Sequence, residues 1–280
     1  MFEFLMIVDD PDIARYVSGA GVNRLFVDLE HIGKQERQKN LATWKSQQTM
    51  QDVSKIRDAA PDAHVLVRIN PIHDNTEHEV DEAIARGADS LMLPMFRQMQ
   101  DLERFYAAID GRVEAVPLAE TKAGLDLIPD AIKHLPVTRL HIGLNDLHLD
   151  MGYQFIFQPL VDGVLETSCA ALRAAKIPFG IGGIARAGEG AVSSYYLVGE
   201  HVRLGSSGAI LSRTFHRNAK RLQDLTKDMD FTDEIAKLRR IYDAFLKAPK
   251  AEITKNQQEI YNRVQNAVHV INAQNTIGST

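Results

Sequence analysis

The sequence predicts an α/β protein, a (β/α)8 TIM barrel followed by a C-terminal helical segment. Over about the first 220 residues, eight short apolar runs alternate with longer amphipathic segments. The runs are almost continuously apolar, as expected of parallel strands that helices cover on both faces. Regular alternation of strands and helices favours a closed parallel barrel. A doubly wound sheet is the alternative, and the lack of Gly-x-Gly-x-x-Gly after the first run weakens it.

The predicted strands occupy residues 4–8, 24–29, 64–69, 90–93, 113–118, 139–142, 178–181 and 201–204. Residues 33–52, after the second run, break the rhythm because they are polar and too long for an ordinary βα connection. In a barrel this segment would cover the catalytic face. A lid and an oligomer contact around Trp44 both stay open as interpretations.

Beyond residue 220 the pattern is helical only. Apolar residues recur at helical spacing in two stretches, first at Ile235, Leu238, Ile241, Tyr242 and Phe245 and then at Ile260, Val264, Ala267 and Ile271. We therefore divide the chain into a catalytic barrel at 1–220 and a helical extension at 221–280. The two apolar faces need a cover, either the barrel's own surface or a neighbouring subunit, and we expect a homo-oligomer.

Composition argues against a nucleic-acid-binding, a disulfide-bonded or a membrane-spanning protein. The net charge is -5 and Lys and Arg are scattered among Asp and Glu, so no basic stripe points to nucleic acid. The single cysteine, Cys169, excludes an internal disulfide and fits a reducing compartment. The first apolar run is too short to span a bilayer and follows no basic segment. We expect a cytoplasmic protein with a small-molecule ligand and no nucleic-acid or membrane partner.

Two carboxylates follow successive predicted strands. Glu120 comes after the fifth run and Asp146 after the sixth. The carboxyl ends of barrel strands meet at the catalytic face, so the two side chains are expected to converge there. Two carboxylates with open positions for water and substrate oxygens suit Mg²⁺ or Mn²⁺ better than Zn²⁺. The alternative is that both are ordinary helix N-caps at βα turns.

Three more polar residues follow neighbouring strands. Arg68 lies in an apolar run and needs an anionic partner, which we expect to be a substrate carboxylate or, alternatively, Glu30 or Glu120. His31, next to Glu30, is a candidate general base near neutral pH, and the alternative is a loop histidine bonded to backbone.

Glycine-rich turns follow the last two predicted strands. Gly182-Gly183 comes after the seventh run, and Gly205-Ser206-Ser207-Gly208 comes after the eighth. Barrels often bind phosphate at this place through backbone amides, which makes Ser206 a candidate substrate-binding residue. The same residues also suit tight turns without any ligand.

Five short motifs occur in a family-specific order: Asp28-Leu29-Glu30-His31, Val67-Arg68-Ile69-Asn70, residues 87–95 with Leu93-Pro94-Met95, Ala119-Glu120-Thr121, and Gly143-x-x-Asp146-Leu147-x-x-Asp150-Met151-Gly152. Together they resemble the HpcH/HpaI aldolase/citrate lyase family, over roughly residues 20–215. The resemblance implies a (β/α)8 barrel with Mg²⁺, Mn²⁺ or a similar ion on Glu120 and Asp146. It implies a substrate site made by Arg68, Pro94, Leu144, Asn145 and Asp146, in which Arg68 stabilises an enolate oxygen and backbone amides hold a carboxylate.

The pair Glu30-His31 bears on the subgroup. Pyruvate aldolases of the family carry Glu-His here, whereas its CoA-ester lyases tend to carry Glu-Asp, so the resemblance favours an aldolase with catalytic Glu30, His31 and Arg68. The predicted function is a metal-dependent carbon–carbon lyase that forms a pyruvate-type enolate from a 4-hydroxy-2-oxo acid. A CoA-ester lyase of the citrate or malyl-CoA type is one alternative. A non-catalytic carboxylate-binding barrel or scaffold is the other.

Overall fold

Eight parallel strands pair in chain order and close into a barrel. The computed structural model describes residues 1–34 and 47–277 of the chain. The strands are β1 (Glu3–Ile7), β2 (Arg24–Asp28), β3 (His64–Arg68), β4 (Ser90–Leu93), β5 (Glu114–Ala119), β6 (Leu140–Ile142), β7 (Phe179–Ile184) and β8 (Gly208–Leu211). This confirms the predicted barrel. The suggested lid or oligomer contact around Trp44 lies outside the described residues.

The eighth strand was predicted at the wrong place. Residues 201–204 belong to a helix that ends at Gly205, whose φ of 81° is the left-handed conformation of a helix C-cap. The true β8 is Gly208–Leu211, so Gly205 to Ser207 precede it and lie at the amino end of the barrel. A short apolar run is compatible with either element, and here the glycine that ends it closes a helix.

Helices surround the barrel and continue beyond it. Those in the described ranges are α1 (Pro11–Gly19), α2 (Met50–Ala59), α3 (Thr76–Ala85), α4 (Met99–Ile109), α5 (Lys122–His134), α6 (Leu144–Asp150), α7 (Gln158–Val161), α8 (Glu166–Ala174), α9 (Ser194–Leu204), α10 (Arg213–His216), α11 (Leu222–Thr226), α12 (Phe231–Lys247) and α13 (Lys250–Ile277). None of these helices combines the length and the apolar character that crossing a membrane requires.

The two ends of the barrel differ in chemistry. Apolar side chains fill its interior, namely Leu5, Phe26, Leu66, Met92, Val116 and Leu118. The amino end holds an ion-paired network, in which Arg139 Nη1 lies 2.8 Å from Glu3 Oε2 and its Nε lies 2.9 Å from Glu114 Oε1. Arg24 joins both acids. This network occupies the amino end and leaves the carboxyl end for a ligand cavity.

The C-terminal helices pack on the barrel of their own chain. Tyr242 of α12 donates a hydrogen bond to the Ser206 carbonyl at 3.3 Å, and Asn256 of α13 donates to the Tyr196 carbonyl at 3.0 Å. Gly199 makes room for Asn256, because a Cβ at that position would lie 2.5 Å from Asn256 Nδ2. The boundary at residue 220 and an additional contact with a second subunit stay predictions.

Candidate active site

A cavity of about 340 Å³ lies at the carboxyl ends of the strands. Residues from several strand ends line it, as expected for a barrel of this type. Its polar lining includes Asp28, Lys34, Arg68, Glu120, Asn145, Asp146, Ser212, Arg213 and His216, and its apolar lining includes Met6, Val8, Leu144, Ile156 and Ile210. The volume is within the usual range for small-molecule sites.

Glu120 and Asp146 line this cavity together. Strands β5 and β6 pair with Ala119 opposite Ile142, so the residues that follow them leave the barrel side by side. Glu120 is 3% exposed. A Cβ on Gly143 would lie 2.9 Å from Glu120 Oε2, so the absence of a side chain at Gly143 lets the carboxylate lie against the start of α6. Asp146 is in the first turn of that helix.

Neither carboxylate is a helix N-cap, which removes that alternative. The cap of α5 is Thr121, whose hydroxyl accepts a hydrogen bond from the Gly124 amide, and the cap of α6 is Gly143. Glu120 Oε1 instead accepts a hydrogen bond of 3.2 Å from the Met95 amide. Met95 has a φ of 56°, a left-handed conformation that is strained for this residue type. The buried Pro94 precedes it, so Pro94 supports the segment that binds Glu120.

The anionic partner of Arg68 in the structure is Asp28. The two residues face each other in the parallel register of β2 and β3. Arg68 Nε donates to Asp28 Oδ1 and Nη2 donates to Oδ2, both at 2.8 Å. Glu30 is more distant, with its Oε2 3.5 Å from Arg68 Nη2. Burial alone would raise the pKa of Asp28, but the charges and hydrogen bonds of Arg68 and Lys34 hold it well below its usual value.

Lys34 completes a buried cluster of two cations and two anions. Its Nζ lies 2.8 Å from Asp28 Oδ2 and 3.4 Å from Glu30 Oε2. The two positive charges of this cluster balance its two negative charges, so Arg68 stays charged at the edge of the cavity. Sequence reasoning missed Asp28 and Lys34. The register of β2 and β3 is a signal that could have paired Asp28 with Arg68, whereas nothing in the polar segment singled out Lys34.

His31 is exposed rather than turned into the cavity. Its Nε2 lies 3.1 Å from the Gln48 carbonyl oxygen. The amides of His31 and Ile32 both donate to Asn70 Oδ1 at 2.9 Å, and Asn70 in turn donates to Glu79 at 2.7 Å. This network fixes the backbone after Glu30. A catalytic role for His31 stays a prediction, and the geometry does not bring its ring to the carboxylates.

The glycine-rich turns lie in two different environments. Gly182 and Gly183 belong to β7, where the strand pairing shifts register, and both line the cavity. Ser206 was predicted in the substrate site, but the structure places it at the opposite end of the barrel. It is fully buried, and its hydroxyl lies 2.9 Å from His201 Nδ1. The misplaced eighth strand is the reason for this error.

Two histidines near the site are buried and neutral at pH 7. His141 in β6 lines the cavity, and its Nε2–H donates to the Gly182 carbonyl at 3.2 Å. Burial lowers the pKa of His141 to about 4. His148 is also buried, with Nδ1 3.3 Å from the Leu144 carbonyl, and burial lowers its pKa as well. The rings of His141 and His148 therefore have a structural role next to the site.

The family follows from the sequence and this architecture together. The model of the HpcH/HpaI aldolase/citrate lyase family matches residues 4–191, which is well over half of the chain. The chain belongs to this family. Membership of the HpcH/HpaI aldolase/citrate lyase family makes the protein an enzyme of the lyase type, as predicted, and its barrel and cavity agree with that class. Comparison with curated proteins gives no match.

Several solved structures share the fold. An HpcH/HpaI aldolase/citrate lyase family protein from Burkholderia cenocepacia J2315 superposes with a TM-score of 0.58 at 19% identity, over 81% of this chain and 93% of that chain. An HpcH/HpaI aldolase from Desulfitobacterium hafniense DCB-2 has a TM-score of 0.56 at 18% identity, over 75% and 85%. RipC from Yersinia pestis has a TM-score of 0.57 at 15% identity, over 90% and 98%.

Proposed function

We propose that this protein is a divalent-metal-dependent carbon–carbon lyase that forms a pyruvate-type enolate from a 2-oxo acid. One observation carries the proposal. The Glu120 carboxylate lies against Gly143 at the start of α6, and Asp146 and Arg68 line the same cavity. Two acidic groups and a fixed cation at one strand-end cavity are what a metal-held enolate needs.

Glu120 and Asp146 are the residues that would hold the ion. Their oxygens suit Mg²⁺ or Mn²⁺, which often bind through one or two carboxylates and complete their coordination with water and substrate. Within residues 1–34 and 47–277, no group of three or more His, Cys, Asp or Glu side chains has the arrangement of a metal site. When bound, the ion supplies Lewis-acid stabilisation of the enolate.

Arg68 would stabilise the negative charge on the enolate oxygen. Its Nε and Nη2 are already bonded to Asp28, so Nη1 is the nitrogen we assign to the substrate. The same two bonds fix the plane of the guanidinium before substrate arrives, which is the preorganisation that electrostatic catalysis requires. The amides of Leu144 and Asn145, at the start of α6, would hold the substrate carboxylate.

Cleavage of a 4-hydroxy-2-oxo acid also requires a base. The base takes the proton of the 4-hydroxyl, whose oxygen forms the carbonyl of the released aldehyde. The bond between C3 and C4 breaks, its electrons form the enolate of pyruvate, and a proton returned to C3 gives pyruvate. Glu30 and His31 stay the candidates for this proton transfer. Glu30 is 1% exposed, with its Oε2 3.4 Å from Lys34 Nζ, whereas His31 is exposed to solvent.

Exchange of pyruvate methyl protons with D₂O tests the proposal. We expect the wild-type protein to catalyse this exchange with Mg²⁺ or Mn²⁺, and we expect Glu120→Gln and Asp146→Asn to lose it by at least about 100-fold. Glu82→Gln is the matched control, because Glu82 pairs with Arg86 on the outer helix α3. Full metal-dependent exchange in either active-site variant would show that the metal assignment is wrong.

The position of His31 favours a second candidate, a CoA-ester lyase. His31 was the feature that favoured an aldolase over a CoA-ester lyase. Because its ring is exposed and bonded to the Gln48 carbonyl, it separates these two enzyme types less clearly. The two candidates separate in one experiment. Metal-dependent deuteration of acetyl-CoA but not pyruvate would select the CoA-ester lyase, and the reverse result would select the aldolase.

A further inference from the structure

The cavity wall formed after β8 carries positive charge that the carboxylate site does not use. Ser212 follows the strand and caps α10, accepting a hydrogen bond from the Phe215 amide. Arg213 and His216, the first and last residues of that short helix, both line the cavity. Sequence reasoning did not reach this segment because it placed the eighth strand seven residues too early, at 201–204 instead of Gly208–Leu211.

Arg213 is a cation without an anionic partner among residues 1–34 and 47–277, and it lines the open cavity. Partial burial lowers the pKa of its guanidinium, and burial is the sole cause of that shift. Arg68 and Arg203 differ, since each is partly buried against carboxylates that raise its pKa. Arg213 is solvent-exposed, lines the cavity and has no carboxylate within ion-pair distance in the described part of the chain, so its guanidinium is available to an anionic group of a ligand.

His216 offers a second polar group on the same wall. Its Nδ1 is buried and has no hydrogen-bond partner among the residues that the structure describes. Burial, with the charges of Arg213 and Arg186, lowers the pKa of His216 to about 4, so its ring is neutral at pH 7. A neutral imidazole carries one N–H donor, and a buried polar nitrogen without a partner is unfavourable unless a ligand supplies one.

The backbone around this pair is fixed. The Nε of Arg186 donates to the Phe215 carbonyl at 2.7 Å, between Arg213 and His216. Arg217 and Asn218, which follow directly, both have positive φ, at 50° and 54°. Two successive left-handed residues that are not glycine are strained, and such strain collects at functional segments. The bond from Arg186 thus holds the backbone between Arg213 and His216, the two residues that line the cavity.

The acidic groups on this side of the cavity are already engaged. The Asp10 carboxylate caps α1, where it accepts a hydrogen bond of 2.9 Å from the Ile13 amide. Burial and the charges of Asp52 and Asp28 raise the pKa of Asp9, and the charge of Lys220 opposes that rise. The positive charge of Lys220 acts on Asp9. Arg213 therefore adds a second positive charge to this wall.

We propose that Arg213 and His216 form a subsite for a second anionic group, a carboxylate or a phosphate, at the end of the substrate remote from the 2-oxo acid. This inference rests on the proposed function, because Glu120 and Asp146 define the end where the 2-oxo acid binds. Met6, Val8 and Ile210 lie in the same cavity, so the segment between the two anionic ends of the substrate crosses a partly apolar space.

Binding of three probes tests the subsite. Pyruvate has one anionic end, 2-oxoglutarate adds a second carboxylate, and 3-phosphonopyruvate adds a phosphonate in place of a phosphate. In calorimetric titrations with Mg²⁺, we expect at least one doubly anionic probe to bind more tightly than pyruvate. Arg213→Gln should weaken its binding by about 10- to 100-fold, the effect of one charged hydrogen bond, and should leave pyruvate binding unchanged.

Arg217→Gln is the matched control. It removes the same charge from the same turn, but Arg217 pairs with Glu189 at 3.2 Å and does not line the cavity. Equal weakening by both substitutions would overturn the subsite, because a distant charge would then suffice. Equal weakening of all three probes by Arg213→Gln would also overturn it. The probe that loses more affinity in Arg213→Gln identifies the second group as carboxylate or phosphate.

The outcomes separate this inference from the proposed function. Normal metal-dependent exchange of pyruvate protons, together with no preference for a doubly anionic probe, would remove the subsite and leave the function intact. Arg213-dependent binding of a doubly anionic probe by a protein that shows no such exchange would support the subsite and remove the enolate chemistry.

Discussion

Asp28 and Arg68 meet across β2 and β3 through two parallel hydrogen bonds of 2.8 Å. Each residue ends its strand, and the parallel register aligns them. The pair links the barrel wall to the cavity, since the same arginine that closes the pair also lines the ligand space. A substitution at Asp28 is therefore expected to change both stability and activity.

We predict that Asp28→Asn lowers the free energy of unfolding on the order of 3 kcal/mol, because it leaves Arg68 and Lys34 buried with one carboxylate fewer. Proton exchange of pyruvate should fall as well, since the guanidinium loses its fixed plane. Urea unfolding and the exchange rate measure the two effects. Glu82→Gln, which breaks a more exposed pair with Arg86, should change stability by less than about 1 kcal/mol.

We predict that Gly143→Ala weakens metal binding without unfolding the protein. The added Cβ would lie 2.8 Å from Glu120 Cβ and 2.9 Å from Glu120 Oε2, so the carboxylate must move. The φ of Gly143 is -91°, which alanine adopts freely, and the effect is therefore steric. Titration with Mn²⁺ measures it. Gly19→Ala is the control, because a Cβ there meets nothing within 4 Å; comparable Mn²⁺ affinity in both variants would contradict the placement of Glu120.

We predict that the protein loses stability as the pH falls from 7 to 5.5. Burial lowers the pKa of His141 to about 4 and that of His201 to about 3. Below the unfolded value of about 6.5, the unfolded chain takes up protons that the folded chain does not, so each histidine removes roughly 1.4 kcal/mol per pH unit. Above that value the contribution of both histidines is constant.

Urea unfolding at pH 7, 6.5, 6 and 5.5 measures this dependence. His201→Asn should remove the contribution of one titrating group from the slope, since the asparagine amide does not titrate and can still form a hydrogen bond with the Ser206 hydroxyl. A slope that is the same in wild type and variant would show that His201 is protonated in the folded protein.

We predict that Asn70→Ala lowers the turnover number of the enzyme more than its stability. Asn70 Oδ1 accepts hydrogen bonds from the amides of His31 and Ile32, so the change releases the backbone that follows Glu30. Asn70→Asp keeps that acceptor and should retain more activity. Steady-state kinetics of the three proteins test this, and equal loss in both variants would indicate that the bond from Asn70 to Glu79 is what matters.

The barrel was predictable because its buried strands are almost continuously apolar, and seven of the eight runs overlap true strands. The eighth was missed because β8 is a four-residue strand that begins with glycine, whereas the predicted run at 201–204 belongs to α9. Sequence order alone also placed Glu120, Asp146 and Arg68 at the carboxyl face, since a barrel strand has only one such end.

Side-chain direction was not predictable in the same way. His31 follows a strand end, but its amide donates to Asn70 Oδ1 and its ring bonds to the Gln48 carbonyl, so the ring lies outside the cavity. Both partners are distant from His31 in sequence. Lys34 carries no periodic signal and reaches Asp28 only because the chain folds back after β2. Arg213 lies just after β8, so it could not be assigned to the cavity while that strand was predicted at the wrong place.

The ion-paired network of Glu3, Arg24, Glu114 and Arg139 has a consequence for kinetics. It occupies the amino end, so in the described part of the chain the cavity opens at the carboxyl end. Two fragments formed by cleavage would then share one exit. The fragment nearer the opening would depart before the one bound beside Glu120 and Asp146, and product release would follow a fixed order that product-inhibition patterns can reveal.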